Sequence, residues 1–327
     1  MMKKDDGLFF EGSEKKAQII INTDKLSLLN DIDDNFWDAL VESCGAKILS
    51  SMKSNSCNAL LLSESSLFIW HHKLLIITCG TSQLVKAIEF FINNYPINVV
   101  QQISYQRKNE YFSHAQPSCF SQDVKTLRQY ISGKAYRFGA LDSHHNYLFH
   151  QDNNFQADIN NKSYEIVAYH ISETASNLLT DPHLTALKIR NMFHIDELFP
   201  HFDIDDHVFH PFGYSLNGIN KDNFFTLHIT PQAESSYISV SANFDLINLL
   251  PQLIITLAPT TIDILTSNEL NFEEKILNKL PEQFICTSYV KESLSIGEEI
   301  VFASYSQNTK HSCEALNLKM NNEVCSL

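Results

Sequence analysis

The stretch Leu61-Leu62-Ser63-Glu64-Ser65-Ser66-Leu67-Phe68 constrains the fold of this chain more than any other. It interrupts an apolar, strand-like run, with residues 59–62 before it and 67–70 after it. Small polar residues inside such a run weaken a strand unless something uses them. One use is conformational: Ser and Glu build a hairpin turn, because serine hydroxyls bond readily to nearby backbone. The other is chemical: the Ser65 hydroxyl, next to the Glu64 carbonyl, can attack it. A second apolar run at 73–78 follows Trp70-His71-His72 and predicts a hairpin-like strand pair.

Around that pair the chain reads as strands and helices in two similar halves. In the first, 17–22 predicts a strand and 33–44 a helix. That helix carries Phe36, Trp37, Leu40, Val41 and Cys44 on one face, with Gly45 to stop it. Thr81 or Ser82 is placed to cap a helix reaching Asn93, and strands at 99–105 and 136–150 enclose a helix at 121–131. In the second half, strands are expected at 163–171, 209–216, 224–230, 237–242, 260–265 and 299–305, and helices at 182–192, 244–257 and 271–280. The Asn217-Gly218 pair opens a predicted turn to Asp222. No short-period repeat is present, but the recurring grammar suits a duplicated α+β layer. With no Pro-, Gly- or Ser-rich linker, residues 1–310 are expected to form one domain and 311–327 a polar, loose tail.

Charge and cysteine content narrow the partners. The net charge of −14 argues against nucleic acid and anionic membrane as partners and suits a cationic small molecule. The seven cysteines are an odd number without a CxxC pair, which fits free thiols in a reducing compartment. The N-terminal residues are charged with no apolar run behind them, and the 246–257 run is broken by Pro251 and too short to span a bilayer. A cytoplasmic protein is expected.

Five words in fixed order carry a family resemblance: Phe9-Phe10-Glu11-Gly12-Ser13-Glu14, Leu62-Ser63-Glu64-Ser65-Ser66, Thr78-Cys79-Gly80-Thr81, Pro211-Phe212-Gly213-Tyr214-Ser215-Leu216-Asn217-Gly218 and His228-Ile229-Thr230-Pro231. Tyr105-Gln106-Arg107-Lys108-Asn109 is a weaker sixth. From about residue 8 to 310 the chain resembles the eukaryotic-type S-adenosylmethionine decarboxylases. The resemblance implies a four-layer αββα sandwich, two antiparallel sheets face to face with helices outside. It also implies a pyruvoyl cofactor made by cleavage between Glu64 and Ser65, with neither metal nor pyridoxal phosphate (PLP). The two cleaved chains, 1–64 and 65–327, are expected to stay associated, and a homodimer is possible.

Individual roles follow from the same resemblance. Loss of CO2 needs an electron sink, which the carbonyl generated at Ser65 provides. Ser215 and His228 match the processing positions, and Cys79 matches the proton donor. Glu11 and Glu14 line the site, and a negative site suits a sulfonium substrate. Phe10 and Phe209 match an adenine clamp, with the backbone of Glu64 against the purine. Read without the family, each has a plainer alternative: core histidine, buried thiol, strand hydroxyl, solvated surface acids beside Lys15 and Lys16, or one core phenylalanine among 22.

The chain also departs from the family pattern. Gln232 stands where a glutamate takes the two ribose hydroxyls, at a cost of very roughly 1 to 3 kcal/mol of charge-assisted bonding. The acidic cluster that binds putrescine as an activator in animal members is reduced to Glu165, with Asn161, Ser241 and Gln18 where acids stand and Ile77 in place of a lysine. Weaker or shifted substrate binding and no putrescine stimulation are expected. Pyruvoyl chemistry on another amino acid, or an inactive regulatory paralogue, are the alternatives.

Overall fold

The computed structural model describes residues 10–232 and 236–308. Among these residues, sixteen strands form two eight-stranded antiparallel sheets. The first holds β1 (Lys15–Ile21), β2 (Ile48–Lys53), β3 (Cys57–Leu62), β4 (Ser65–Trp70), β5 (Lys73–Thr78), β6 (Val100–Lys108), β7 (Gly133–Gly139) and β8 (His145–Gln151). The second holds β9 (Ser163–Tyr169), β10 (Asp203–Val208), β11 (Tyr214–Asn220), β12 (Asn223–Thr230), β13 (Tyr237–Ala242), β14 (Thr261–Ser267), β15 (Phe284–Ser293) and β16 (Glu299–Gln307). Their orders are β2-β3-β4-β5-β1-β6-β8-β7 and β10-β11-β12-β13-β9-β14-β16-β15. The second order is the first with every strand number advanced by eight, so the two halves repeat one topology.

Strand alternation divides the side chains into layers. On β4, Leu67 and Ile69 face outward onto α1 (Asp34–Ser43), α2 (Val85–Asn94) and α3 (Phe120–Leu127), packing with Trp37, Leu40, Phe91 and Leu127. On β12, Phe225, Leu227 and Ile229 face the helices of the second half. These are α4 (Glu173–Leu179), α5 (Ala186–Met192), α6 (Ile195–Leu198), α7 (Leu250–Leu257) and α8 (Phe272–Ile276). The opposite faces meet in the middle, where Phe68 and Trp70 pack on Phe224. The expected four-layer sandwich is therefore present.

Several boundaries differ from expectation for local reasons. Asn217-Gly218 is not a turn: β11 runs through it, and the reversal falls at Lys221-Asp222, with Lys221 at φ 55. Gly218 lies opposite Phe225, whose ring covers it, and an added Cβ would sit 2.1 Å from that ring. The helix expected from Thr81 or Ser82 begins at Val85 without a side-chain cap, because the Ser82 hydroxyl instead donates to the Cys79 carbonyl at 2.9 Å. Strands β2, β10 and β15 and helices α4 and α6 are additional to the sequence reading. The last two expected helices are shorter, Leu250–Leu257 and Phe272–Ile276. The expected 311–327 tail and Phe9 lie outside the described residues. Among the described residues no helix is long and apolar enough to cross a membrane.

Candidate active site

The 61–68 stretch is a hairpin turn, and two of its serines also reach a histidine of the opposite sheet. Leu62 pairs with Ser65 across a two-residue Ser63-Glu64 loop, so the segment is a hairpin turn between β3 and β4. Consecutive strand residues normally point to opposite faces. Here the Oγ atoms of both Ser65 and Ser66 reach one imidazole, that of His228, at 3.0 Å and 2.9 Å. The break in alternation lies at Ser65, whose φ of 138° is a conformation that L side chains rarely adopt. Ser65 is 2% exposed, so this strained residue is shut away from solvent between the sheets.

The carbonyl of Glu64, one bond upstream, is held by Cys79 twice. Its oxygen accepts from the Cys79 backbone N–H at 3.0 Å and from the thiol at 3.4 Å. Two donors aimed at one carbonyl oxygen form the kind of cradle that stabilises developing negative charge. Gly80 makes the tight turn behind Cys79: its φ is +62, its N–H donates to the Glu11 carbonyl at 2.8 Å, and a Cβ there would stand 2.8 Å from the Glu64 carboxylate. Burial, reinforced by Glu64 and Glu14, pushes the Cys79 thiol well above its ordinary value. It therefore holds its proton more firmly than a free thiol at neutral pH.

His228 is fixed on every side. Its Nδ1 lies 2.8 Å from Glu14 Oε1, and its Nε2 lies 2.8 Å from Thr226 Oγ1. Ser65 Oγ is equidistant from the two nitrogens, at 3.0 Å from each. Burial alone would raise the Glu14 carboxyl, but Lys16 and the hydrogen bonds from His228 and Ser239 hold it well below the usual carboxylate range. Ser66 Oγ also donates to Asn217 Oδ1 at 2.6 Å, and Asn217 Nδ2 donates to the Leu60 carbonyl at 3.2 Å, which ties the sheets together beside the site. The sequence assigns no site role to Thr226 or to Asn217, the latter expected only in a turn. The available signal was their period-two spacing from His228 and Ser215. The backbone N–H of Cys79 has no sequence signal at all.

The remaining expected residues are arranged less directly. Ser215 is buried opposite His228 in the β11–β12 register, but no hydrogen bond links its hydroxyl to Ser65 or to the Glu64 carbonyl. Glu11 and Glu14 are not solvated surface acids; both are buried. Glu11 spends its carboxylate on the backbone N–H groups of Ser13 at 3.2 Å and Phe112 at 3.0 Å. Phe10, 45% exposed, stands at the rim over Gly80 beside the Glu64 side chain. The Gln232 side-chain amide donates to the Phe10 carbonyl at 2.6 Å. Phe209 is half-buried on the loop after β10, with its ring edge-on to His207 and its N–H donating to the Gly213 carbonyl at 2.9 Å.

Where activator acids were expected to be depleted, Glu165 accepts from Lys16 at 2.6 Å and lies 2.9 Å from Lys108 Nζ. Lys16 stands opposite Ile77 in the β1–β5 register. Gln18, Asn161 and Ser241 line the same cavity of about 310 Å³ between the sheets. Among the described residues no cluster of three or more His, Cys, Asp or Glu could hold a metal ion.

The fold and site define a duplicated α+β sandwich with a serine–histidine centre shared between its two sheets. The family model for adenosylmethionine decarboxylase matches residues 7–306, and the chain belongs to that family. Three relatives are each named S-adenosylmethionine decarboxylase proenzyme. That of Xenopus laevis is 28% identical, over 89% of this chain and 86% of its own length. That of Caenorhabditis elegans is 31% identical, over 76% and 72%. That of Leishmania infantum is 28% identical, over 73% of this chain and 65% of its own length. The chain is also similar in fold to the solved AdoMetDC-delta26 monomer of Trypanosoma brucei, with a TM-score of 0.58 at 16% identity, over 74% of this chain and 99% of that one.

Proposed function

We propose that the chain is a self-processing decarboxylase of S-adenosylmethionine, yielding the decarboxylated aminopropyl donor for spermidine and spermine synthesis, with its reactive carbonyl made from Ser65. One observation carries the reading: Ser65 Oγ stands against His228 while the adjoining Glu64 carbonyl rests on the two Cys79 donors. Attack of Oγ on the Glu64 carbonyl carbon forms an ester and releases the Ser65 nitrogen, with the Oγ proton passing by way of His228 to that nitrogen. Negative charge on the Glu64 oxygen meets the Cys79 N–H and thiol. His228 then removes the Ser65 Cα proton, and elimination frees the Glu64 carboxylate and leaves a dehydroalanine. Water converts this to a pyruvoyl group as ammonia departs.

When formed, that group supplies an electrophilic carbonyl for the substrate amine and a sink for the electrons left when CO2 departs. The chain's own residues do the rest. Cys79 Sγ, protonated and close to residue 65, is placed to return a proton to the substrate Cα. Glu14 holds His228 in orientation, and Phe10, Gln232 and the Glu64 backbone form a rim suited to a flat base and its ribose. Phe209 and the acidic lining are assigned to the same substrate, the sulfonium favouring negative surroundings. Ser215 acts with His228 in processing. Every one of these residues belongs to one chain, so the site does not depend on a homodimer. The cytoplasm suits the free thiols found among the described residues.

Intact-mass measurement of purified protein tests the reading. Two species are expected, residues 1–64 and residues 65–327 with a keto group in place of the amine, together with CO2 release from carboxyl-labelled S-adenosylmethionine. Ser65→Ala should remain one inert chain. Recovery of the unaltered protein as a single full-length chain overturns the proposal.

A further inference from the structure

The acid that orients His228 has a counter-charge on its own strand. β1 begins as the extended Glu14 segment ends, and Glu14, Lys16 and Gln18 share its inward face by alternation. Lys16 Nζ lies 3.3 Å from Glu14 Oε2, while Glu14 Oε1 lies 2.8 Å from His228 Nδ1. The same ammonium donates to Glu165 at 2.6 Å and to Ser241 at 2.7 Å, which anchors it to β9 and β13 of the opposite sheet. Glu14 is wholly buried, and a buried carboxylate without a cation nearby neutralises itself by taking up a proton. A neutral Glu14 would no longer hold the imidazole as a charge-assisted acceptor does.

We infer that Lys16 is a positioning residue for self-cleavage: resting on the function proposed above, its ammonium keeps Glu14 ionised and aligned so that His228 meets Ser65. Lys108 on β6 already faces Glu165, so neutralising that second acid does not by itself require Lys16. Burial works against charge on Lys16, but Glu165 and Glu14 more than offset it and hold the ammonium above its ordinary value. The other groups facing Glu14 are His228 and Ser239, with Tyr237, Glu165 and Cys79 within electrostatic reach. None of these others is a cation independent of the reacting histidine. Lys16 also borders the 310 Å³ cavity, so a small cation can be supplied there from outside.

The test follows chain cleavage over time in freshly made full-length protein. Lys16→Ala should cleave roughly 10- to 100-fold more slowly than the parent, the size expected when a reacting group loses its alignment. Its rate should also rise with pH toward the parent value, as Glu14 regains its charge. Lys16→Arg should cleave like the parent. Propylammonium, but not propanol, should restore cleavage of Lys16→Ala. The double variant Lys16→Gln with Glu165→Gln should stay slow, whereas recovery in it would show that Lys16 serves only to neutralise Glu165. Parental rates and pH profile in Lys16→Ala, or equal rescue by propanol, overturn the inference. Failure of the parent itself to cleave would instead overturn the proposed function. Should Lys16→Ala not fold, the comparison passes to Lys16→Gln with propylammonium, judged by the same criteria.

Discussion

Ser65 on β4 and His228 on β12 stand 3.0 Å apart although 163 residues separate them and each belongs to a different sheet. The strands are topological equivalents, each fourth in chain order within its half. The duplication thus sets Ser65 on one copy of a strand and His228 on the other copy, and the proposed processing would use the pair as nucleophile and proton carrier.

Glu64 makes stability depend on pH. Burial raises its carboxyl to about 7 against an ordinary value of 4.5, with Lys15 opposing in part. Between those values the folded chain keeps a proton that the unfolded chain has lost, so folding is favoured less as pH climbs through the window. In an uncleavable Ser65→Ala background, Glu64→Gln should melt higher than its parent at pH 8, with the gap closing by pH 5. A gap independent of pH would refute this.

In the proposed site, Gln232 is expected to limit substrate affinity. Its amide nitrogen is committed to the Phe10 carbonyl, leaving a neutral oxygen for ribose hydroxyls. Gln232→Glu supplies a charged acceptor and should lower KM roughly tenfold, about 1.4 kcal/mol, with kcat little changed. An unaltered KM in steady-state decarboxylation would remove Gln232 from the substrate site.

Putrescine should not stimulate the enzyme. The acid left from the expected activator cluster, Glu165, already faces Lys16, which is half-buried, and Lys108, which is buried. A diamine would have to displace an internal ammonium tethered by its own chain, which has a large advantage in effective concentration. Decarboxylation and cleavage rates measured across millimolar putrescine should stay flat, and several-fold activation would contradict the assignment.

Gly218 is sterically required. A Cβ would sit 2.1 Å from Cε1 of Phe225, a fully buried ring stacked on Phe199. Gly218→Ala should cost about 1–3 kcal/mol in denaturant unfolding, as overpacking does. Equal stability would mean that the ring can move aside.

Gly218 also shows where sequence reading failed. Asn-Gly signals a turn when only local preference is considered, yet here Asn217 faces the other sheet and Gly218 lies under an aromatic ring across the strand. Both reasons are tertiary. Strands buried on both faces, such as β4 and β5, were legible as continuous apolar runs. The edge strands β2, β10 and β15 were not, because an exposed edge tolerates sequences such as ILSSMK and DIDDHV that carry no burial signal. Ser65, Cys79, Glu14 and His228 could be found because they sit in distinctive words, and the structure gathers them. The Cys79 N–H could not, since it is backbone, and neither could the placement of Lys16, whose anchors Glu165 and Ser241 lie 149 and 225 residues away.

β1 lies between β5 and β6 in the interior of its sheet, bonded to both. A scission ahead of residue 65 puts β1 in the smaller fragment while both its neighbours remain in the larger. The fragments are therefore interleaved like the fingers of clasped hands, and neither can be withdrawn without tearing a sheet open along its middle. Under the proposed maturation the product would be a heterodimer whose two chains could separate or exchange only by opening that sheet between β1 and its neighbours.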